Sequence, residues 1–123
     1  MGKGNKVPTE DEFVRASEAL SKRSLGLSEI RDDVIQKFQK DVHEFFIFDI
    51  SDKSFKAYVF LRWNWQLDKI SKSGMASGIE KFVLQQLENR GRGNRDDLHL
   101  ELEFDSHENV VANFGGDYYS RLR

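Results

Sequence analysis

The stretch Phe55-Lys-Ala-Tyr-Val-Phe-Leu-Arg-Trp-Asn-Trp65 alternates along its whole length. Phe55, Ala57, Val59, Leu61, Trp63 and Trp65 point one way; Lys56, Tyr58, Phe60, Arg62 and Asn64 point the other. Successive side chains of a strand leave opposite faces, so this period of two reads as a long β-strand. Aromatic residues on both faces predict a central place in a sheet. Just upstream, Val42 to Ile50 is dense in β-branched and aromatic residues, and Ser51-Asp-Lys-Ser54 is a polar turn. The two runs predict a β-hairpin.

Two helices are expected before the hairpin. Thr9-Glu-Asp-Glu12 has the form of a capping box, and Phe13, Ala16 and Leu20 follow at helical spacing. Gly26 reads as a stop. Ser28 can then cap a second helix whose Ile30, Val34 and Phe38 share a face. After the hairpin, residues 66–77 read as a polar connection, and a helix from about Gly78 to Asn89 carries Ile79, Phe82, Val83 and Leu87 on one side. Ser77 is its expected N-cap, and Gly91 sits where such a helix ends.

The cleanest strand comes next. Leu98, Leu100, Leu102 and Phe104 face a core, while His99, Glu101, Glu103 and Asp105 face out. Ser106-His-Glu-Asn109 reads as a turn, Val110 to Phe114 as a fourth strand, Gly115-Gly-Asp117 as a second turn, and Tyr118 to Arg123 as a short strand or tail. The expected order is α-α-β-β-α-β-β, a two-layer α+β domain over residues 1–123 with an antiparallel sheet and a disordered segment at 1–8.

Composition narrows the function classes. The 123 residues carry 19 basic and 21 acidic side chains, a net charge of -2, which argues against a wholly basic nucleic-acid binder. Cys is absent, which excludes disulfides, thiol nucleophiles and cysteine-ligated metals. No apolar run reaches the roughly 20 residues of a membrane span, and Met1 to Pro8 lacks a signal peptide's apolar core, so a cytoplasmic location away from membranes is expected. Charge is unevenly spread: residues 96–123 hold seven acidic and two basic side chains, and the basic loop Arg90-Gly-Arg-Gly-Asn-Arg95 precedes them.

Four constellations are candidates for chemistry. The row His99, Glu101, Glu103 and Asp105, with His107, offers oxygen and nitrogen ligands for a divalent cation, though neighbours on one strand face lie about 6.5–7 Å apart. His43 beside Glu44 could serve acid–base chemistry, but no nucleophile motif accompanies it, and Gly74-Met-Ala-Ser-Gly78 lacks the ending of a P-loop. Lys56, Tyr58, Phe60 and Arg62 combine cations and rings on one face as an RNA-stacking sheet would, with Arg90, Arg92 and Arg95 to grip phosphate. Lastly, Glu101, Glu103, Asp105, Glu108 and Asp117 with Tyr118, Tyr119 and Trp65 suit an interface for a basic protein, charges steering the encounter and rings filling pockets.

In size, absence of Cys and the acidic–aromatic segment Leu98 to Tyr119, the chain resembles the small bacterial immunity proteins that neutralise toxins delivered by neighbouring cells. These proteins span many folds without a shared signature, so no residue role is carried over from them. The resemblance implies a non-catalytic inhibitor that binds one cognate toxin, many such toxins being nucleases with basic clefts. The resulting expectation is a protein-binding inhibitor without a cofactor, using Glu101, Glu103, Asp105 and Asp117 for electrostatics and Tyr118 and Tyr119 as anchors. The alternatives are a small metal-dependent hydrolase or nuclease using His99, Glu101 and Glu103, or the RNA-binding sheet.

Overall fold

A computed structural model describes residues 26–123, and these build an α+β fold around a three-stranded sheet. The elements are α1 (Leu27–Lys37), β1 (Val42–Ser51), β2 (Ser54–Leu61), α2 (Asn64–Leu67), α3 (Ile70–Ser73), α4 (Met75–Asn89), β3 (His99–Ser106), α5 (His107–Phe114) and α6 (Tyr118–Arg121). The sheet order is β1-β2-β3, with β2 central as its two-faced pattern requires. β1 and β2 form the expected antiparallel hairpin, with Phe46 opposite Tyr58 and Phe48 opposite Lys56.

Several expectations are corrected. The expected helix on Phe13, Ala16 and Leu20, and the segment 1–8, lie outside the described residues. Within the described residues one helix, α1, precedes the sheet, and Gly26 is its N-cap at φ +84°; Ser28 therefore lies inside the first turn and does not cap it. The sheet has three strands, not four, and it is mixed. β3 runs parallel to β2, with Lys56 opposite Glu101 and Tyr58 opposite Glu103. The chain reaches this register by crossing over through α2, α3 and α4, which occupy most of the stretch expected to be a polar connection.

Local chemistry accounts for each correction. β2 stops at Leu61 because the chain then turns: the Trp63 amide donates to Gln66 Oε1 at 2.8 Å and the Asn64 amide to Glu108 Oε1 at 2.9 Å. Trp63 and Trp65 consequently leave the strand's inward row and are 48% and 57% exposed. Ser106 ends β3 and caps α5, its hydroxyl accepting the Asn109 amide at 3.0 Å. Val110 and Phe114 are then one helical turn apart, and Gly115 at φ +62° closes the helix. The sequence Val-Val had suggested a strand; the cap overrides it. α4 begins at Met75 behind Gly74, so Ser77 is not its cap. Its other end is as expected. Gly91, at φ +74°, donates to Glu88 O, and Arg92 donates to Leu87 O, the paired bonds of a Schellman motif.

One sheet face is the core. Phe45 and Ile47 of β1 and Phe55, Ala57, Val59 and Leu61 of β2 pack against Ile30 and Val34 of α1 and Ile79, Val83 and Leu87 of α4. Leu98, Leu100, Leu102 and Phe104 pack against this cluster, as their period predicts. Arg90 fastens the two helices. Its guanidinium lies 2.6 Å from Glu29 and 3.6 Å from Asp33, both on α1.

Phe45 is fully buried at the centre of this layer. Phe45→Ala is expected to lower unfolding free energy by about 3–5 kcal/mol, read as a lower urea midpoint. A loss below about 1 kcal/mol would mean that the site is not close-packed.

Candidate functional site

The face of the sheet opposite the core carries Glu44, Phe46 and Phe48 from β1, Lys56, Tyr58 and Phe60 from β2, and Glu101, Glu103 and Asp105 from β3. The outward row of β3 is thus placed as its alternation predicts. Its neighbours across the sheet are what the sequence did not show. Lys56 Nζ sits 2.5 Å from Glu101 and 3.4 Å from Glu103. Arg121, on α6, reaches back over the face to lie 2.7 Å from Glu103 and 2.5 Å from Asp105.

Asp105 is the most heavily committed of the three. It also accepts the Asn109 side-chain amide at 2.9 Å and the Ser106 backbone amide at 2.7 Å. Glu101 remains open, its side chain 60% exposed. Asp117 has a structural task. It caps α6, accepting from the Tyr119 amide and the Ser120 hydroxyl, which hold its carboxyl below the ordinary range.

Tyr118 closes one end of the outer face. Its ring meets Phe60 edge-on at 4.8 Å and lies 5.6 Å from Phe46, so Phe60 is fully buried. Its hydroxyl is 2.6 Å from His107 Nδ1. Burial pushes the phenol pKa up to about 12, with the carboxylates of Glu44 and Asp105 adding to the shift. Arg121 extends the cover, 5.8 Å above Phe60 and 6.0 Å from Tyr58. Tyr119 points away and is 71% exposed, beneath Arg123.

The half of the face nearest the hairpin turn stays open. There Phe48 is 45% exposed and Ile50 58%, and Phe48 meets Tyr58 edge-on at 6.0 Å. Exposed carboxylates occur on the elements at this end of the sheet: Glu101 on β3, Asp52 in the turn, and Asp96 and Asp97 before β3, with Lys53 4.0 Å from Asp97.

The remaining candidates distribute as follows. Two of the loop arginines are engaged within the fold, Arg90 with α1 and Arg92 3.3 Å from Asp49, while among the described residues the exposed Arg95 guanidinium reaches only the Lys81 carbonyl at 3.5 Å. Of the RNA platform, Phe60 lies under Tyr118 and Arg121 and Tyr58 beside Arg121, Lys56 is paired with Glu101 and Glu103, and Arg62 lines a cleft past the end of β2. His99, Glu101 and Glu103 do not converge, and among the described residues no group of three or more His, Asp or Glu side chains is placed to hold a metal ion.

Two arrangements were not legible in the sequence. His43 and His107, 64 residues apart, lie against each other with ring centres 4.2 Å apart and planes tilted by 38°. Burial, His107 and Arg62 together push the His43 pKa below its ordinary value, against Glu44. The second is an open cleft of about 290 Å³ between the start of β1 and the end of β2, lined by Lys40, His43, Arg62, Trp63 and Trp65 among others. No helix among the described residues is long and apolar enough to cross a membrane.

Comparison of the chain with protein-family models, with curated proteins and with solved structures finds no match. The site is therefore read from its own chemistry.

The Arg121 fork has a measurable signature. Its hydrogen bond is the largest cause holding Glu103 below the usual carboxylate range, with Lys56 assisting and burial opposing. A depressed folded-state pKa stabilises the fold fully above the unfolded value of about 4.3, and that stabilisation disappears as pH falls through the lower folded value. Arg121→Ala is expected to flatten the acid limb of stability against pH below about 4.5, measured by urea midpoints. An unchanged limb would contradict the pairing.

Proposed function

We propose that the chain is a non-catalytic protein-binding inhibitor, of the kind exemplified by small bacterial immunity proteins, and that it docks a basic toxin on the open half of its outer sheet face. The observation that carries this reading is the exposed pair Phe48 and Ile50 at the hairpin-turn end of edge strand β1, an end of the sheet where Asp52, Asp96, Asp97 and Glu101 are exposed as well. An apolar centre inside a charged rim is the usual anatomy of a specific interface. Strand residues also lose little conformational freedom on binding, so more of the contact energy appears as affinity.

This docking surface differs from the one expected from the sequence. Glu103 and Asp105 are neutralised by Arg121 and Lys56, Asp117 caps a helix, and Tyr118 is committed to Phe60 and His107. Glu101 is itself paired with Lys56 at 2.5 Å, but its side chain stays 60% exposed, so it keeps a place on the accessible surface. The anchors become Phe48 and Ile50, and Tyr119 lies beyond the covered end.

The direct experiment uses the protein encoded beside this chain's own reading frame, because toxins and their inhibitors are made together. Mixing its C-terminal domain with the chain is expected to give a stoichiometric complex by calorimetry. Phe48→Ala is expected to weaken it by about 2 kcal/mol, roughly 30-fold in Kd, while Glu101→Lys slows association with a smaller effect on dissociation. No complex, or one indifferent to Phe48 and Ile50, would overturn the assignment.

A further inference from the structure

The cleft at the opposite end of the hairpin has a chemistry that the inhibitor reading does not use. Lys40 lies just ahead of β1, Arg62 directly follows β2, and Trp63 and Trp65 come from the turn into α2. Both indoles are about half exposed, and among the described residues neither stacks on another aromatic ring. They are also the only two tryptophans in the chain. Among the described residues, neither Lys40 nor Arg62 forms an ion pair. The one carboxylate lining the cleft is Asp41. Next door, Lys69 lies 5.0 Å over the Trp65 ring, and Lys72 shares that surface with Asp68.

Uncommitted cations beside exposed, unstacked indoles call for a ligand that is both anionic and planar. An acidic peptide supplies the charge, but its carboxylates and backbone bring no aromatic ring to lie on an indole. An inorganic anion lacks the plane as well. A nucleotide supplies both at the right scale, its base to stack and its phosphate to accept from a guanidinium. The volume of about 290 Å³ admits one such unit.

We propose that this cleft binds a nucleotide, its base stacked on Trp63 or Trp65 and its phosphate held by Arg62 and Lys40. The floor is firm enough to hold that geometry. The Trp63 amide is tied to Gln66, the Asn64 amide to Glu108, and the Asn64 side chain to the Ser106 hydroxyl, so the Trp63–Gln66 turn is fixed to the ends of both β2 and β3. His43, whose pKa burial lowers below its ordinary value, adds an imidazole to the lining. The same chemistry is presented by a free mononucleotide and by one residue of a single strand.

Because both tryptophans line the cleft, their fluorescence excited at the red edge reports occupancy without a label. The full chain is titrated with adenosine 5′-monophosphate, adenosine, inorganic phosphate and a short oligothymidylate. Saturable quenching by the monophosphate is expected, with adenosine and phosphate each at least about tenfold weaker, since each offers half of the ligand. Arg62→Glu and Lys40→Glu, both surface changes, are expected to weaken quenching by tenfold or more with circular dichroism unchanged. Oligothymidylate binding well above the monophosphate, with a steep salt dependence, would assign the site to a single strand; equal or weaker binding would assign it to a free nucleotide. Absence of quenching by both up to about 5 mM, or full affinity in Arg62→Glu, would overturn the proposal. Phe48 and Ile50 lie at the other end of the hairpin, so either result leaves the inhibitor reading to its own experiment.

Discussion

Arg121 is held between Glu103 at 2.7 Å and Asp105 at 2.5 Å, and that fork decides what the outer face of the sheet can present. The guanidinium is mostly buried and so is Asp105, which makes the contact unlike a solvated surface pair. Removing one partner of such a pair strands the other, a larger loss than the net stabilisation the intact pair supplies. Because Arg121 lies three residues after Tyr118 on one short helix, the same fork seats the phenol on Phe60 and Phe46. A C-terminal helix of a single turn has almost no stability of its own. It is kept in place by two carboxylates and two rings.

The consequence is a face divided in two. Under α6 it behaves as a second small core, with Phe60 as buried as any residue of the first. Beyond Arg121 it opens, and Phe48 and Ile50 meet solvent on β1 while Glu101 does so across the sheet on β3. Lys56 stands at the boundary, opposite Phe48 on one side and Glu101 on the other. Part of the acidic character of residues 96–123 is therefore balanced within the fold: Lys56 and Arg121 pair with Glu101, Glu103 and Asp105, while Asp96, Asp97, Glu108 and Asp117 are exposed.

Much of the fold could be read from the period of the side chains. The alternation over Phe55–Leu61 and Leu98–Asp105 placed both strands and sorted their faces correctly, because burial of one face is a local demand that each residue answers by itself. The failures have a different cause. Whether β3 runs parallel or antiparallel to β2 depends on the route of the chain through α2, α3 and α4, which no window of sequence contains. The pairing of Lys56 with Glu101 follows from that register, 45 residues apart, and was equally hidden. Val110-Val111 favoured a strand by propensity, but the Ser106 cap and the i, i+4 pair Val110 and Phe114 outweighed it. Trp63 and Trp65 continued the strand's alternation on paper, while the bonds from Trp63 and Asn64 to Gln66 and Glu108 bent the backbone away. The site suffered most. Net charge was legible, but whether a carboxylate faces a partner or its own arginine was not.

The claim beneath this account is that α6 shields the central rings of the outer face while the turn end stays bare. Binding of an apolar dye such as anilinonaphthalene sulfonate, to the native chain and to a full-length Tyr118→Ala/Arg121→Ala variant, tests it most directly. The account predicts a several-fold rise in dye fluorescence for the variant, with the circular dichroism of the sheet retained, as Phe46 and Phe60 come into reach of solvent. Equal fluorescence from the two folded proteins would contradict it.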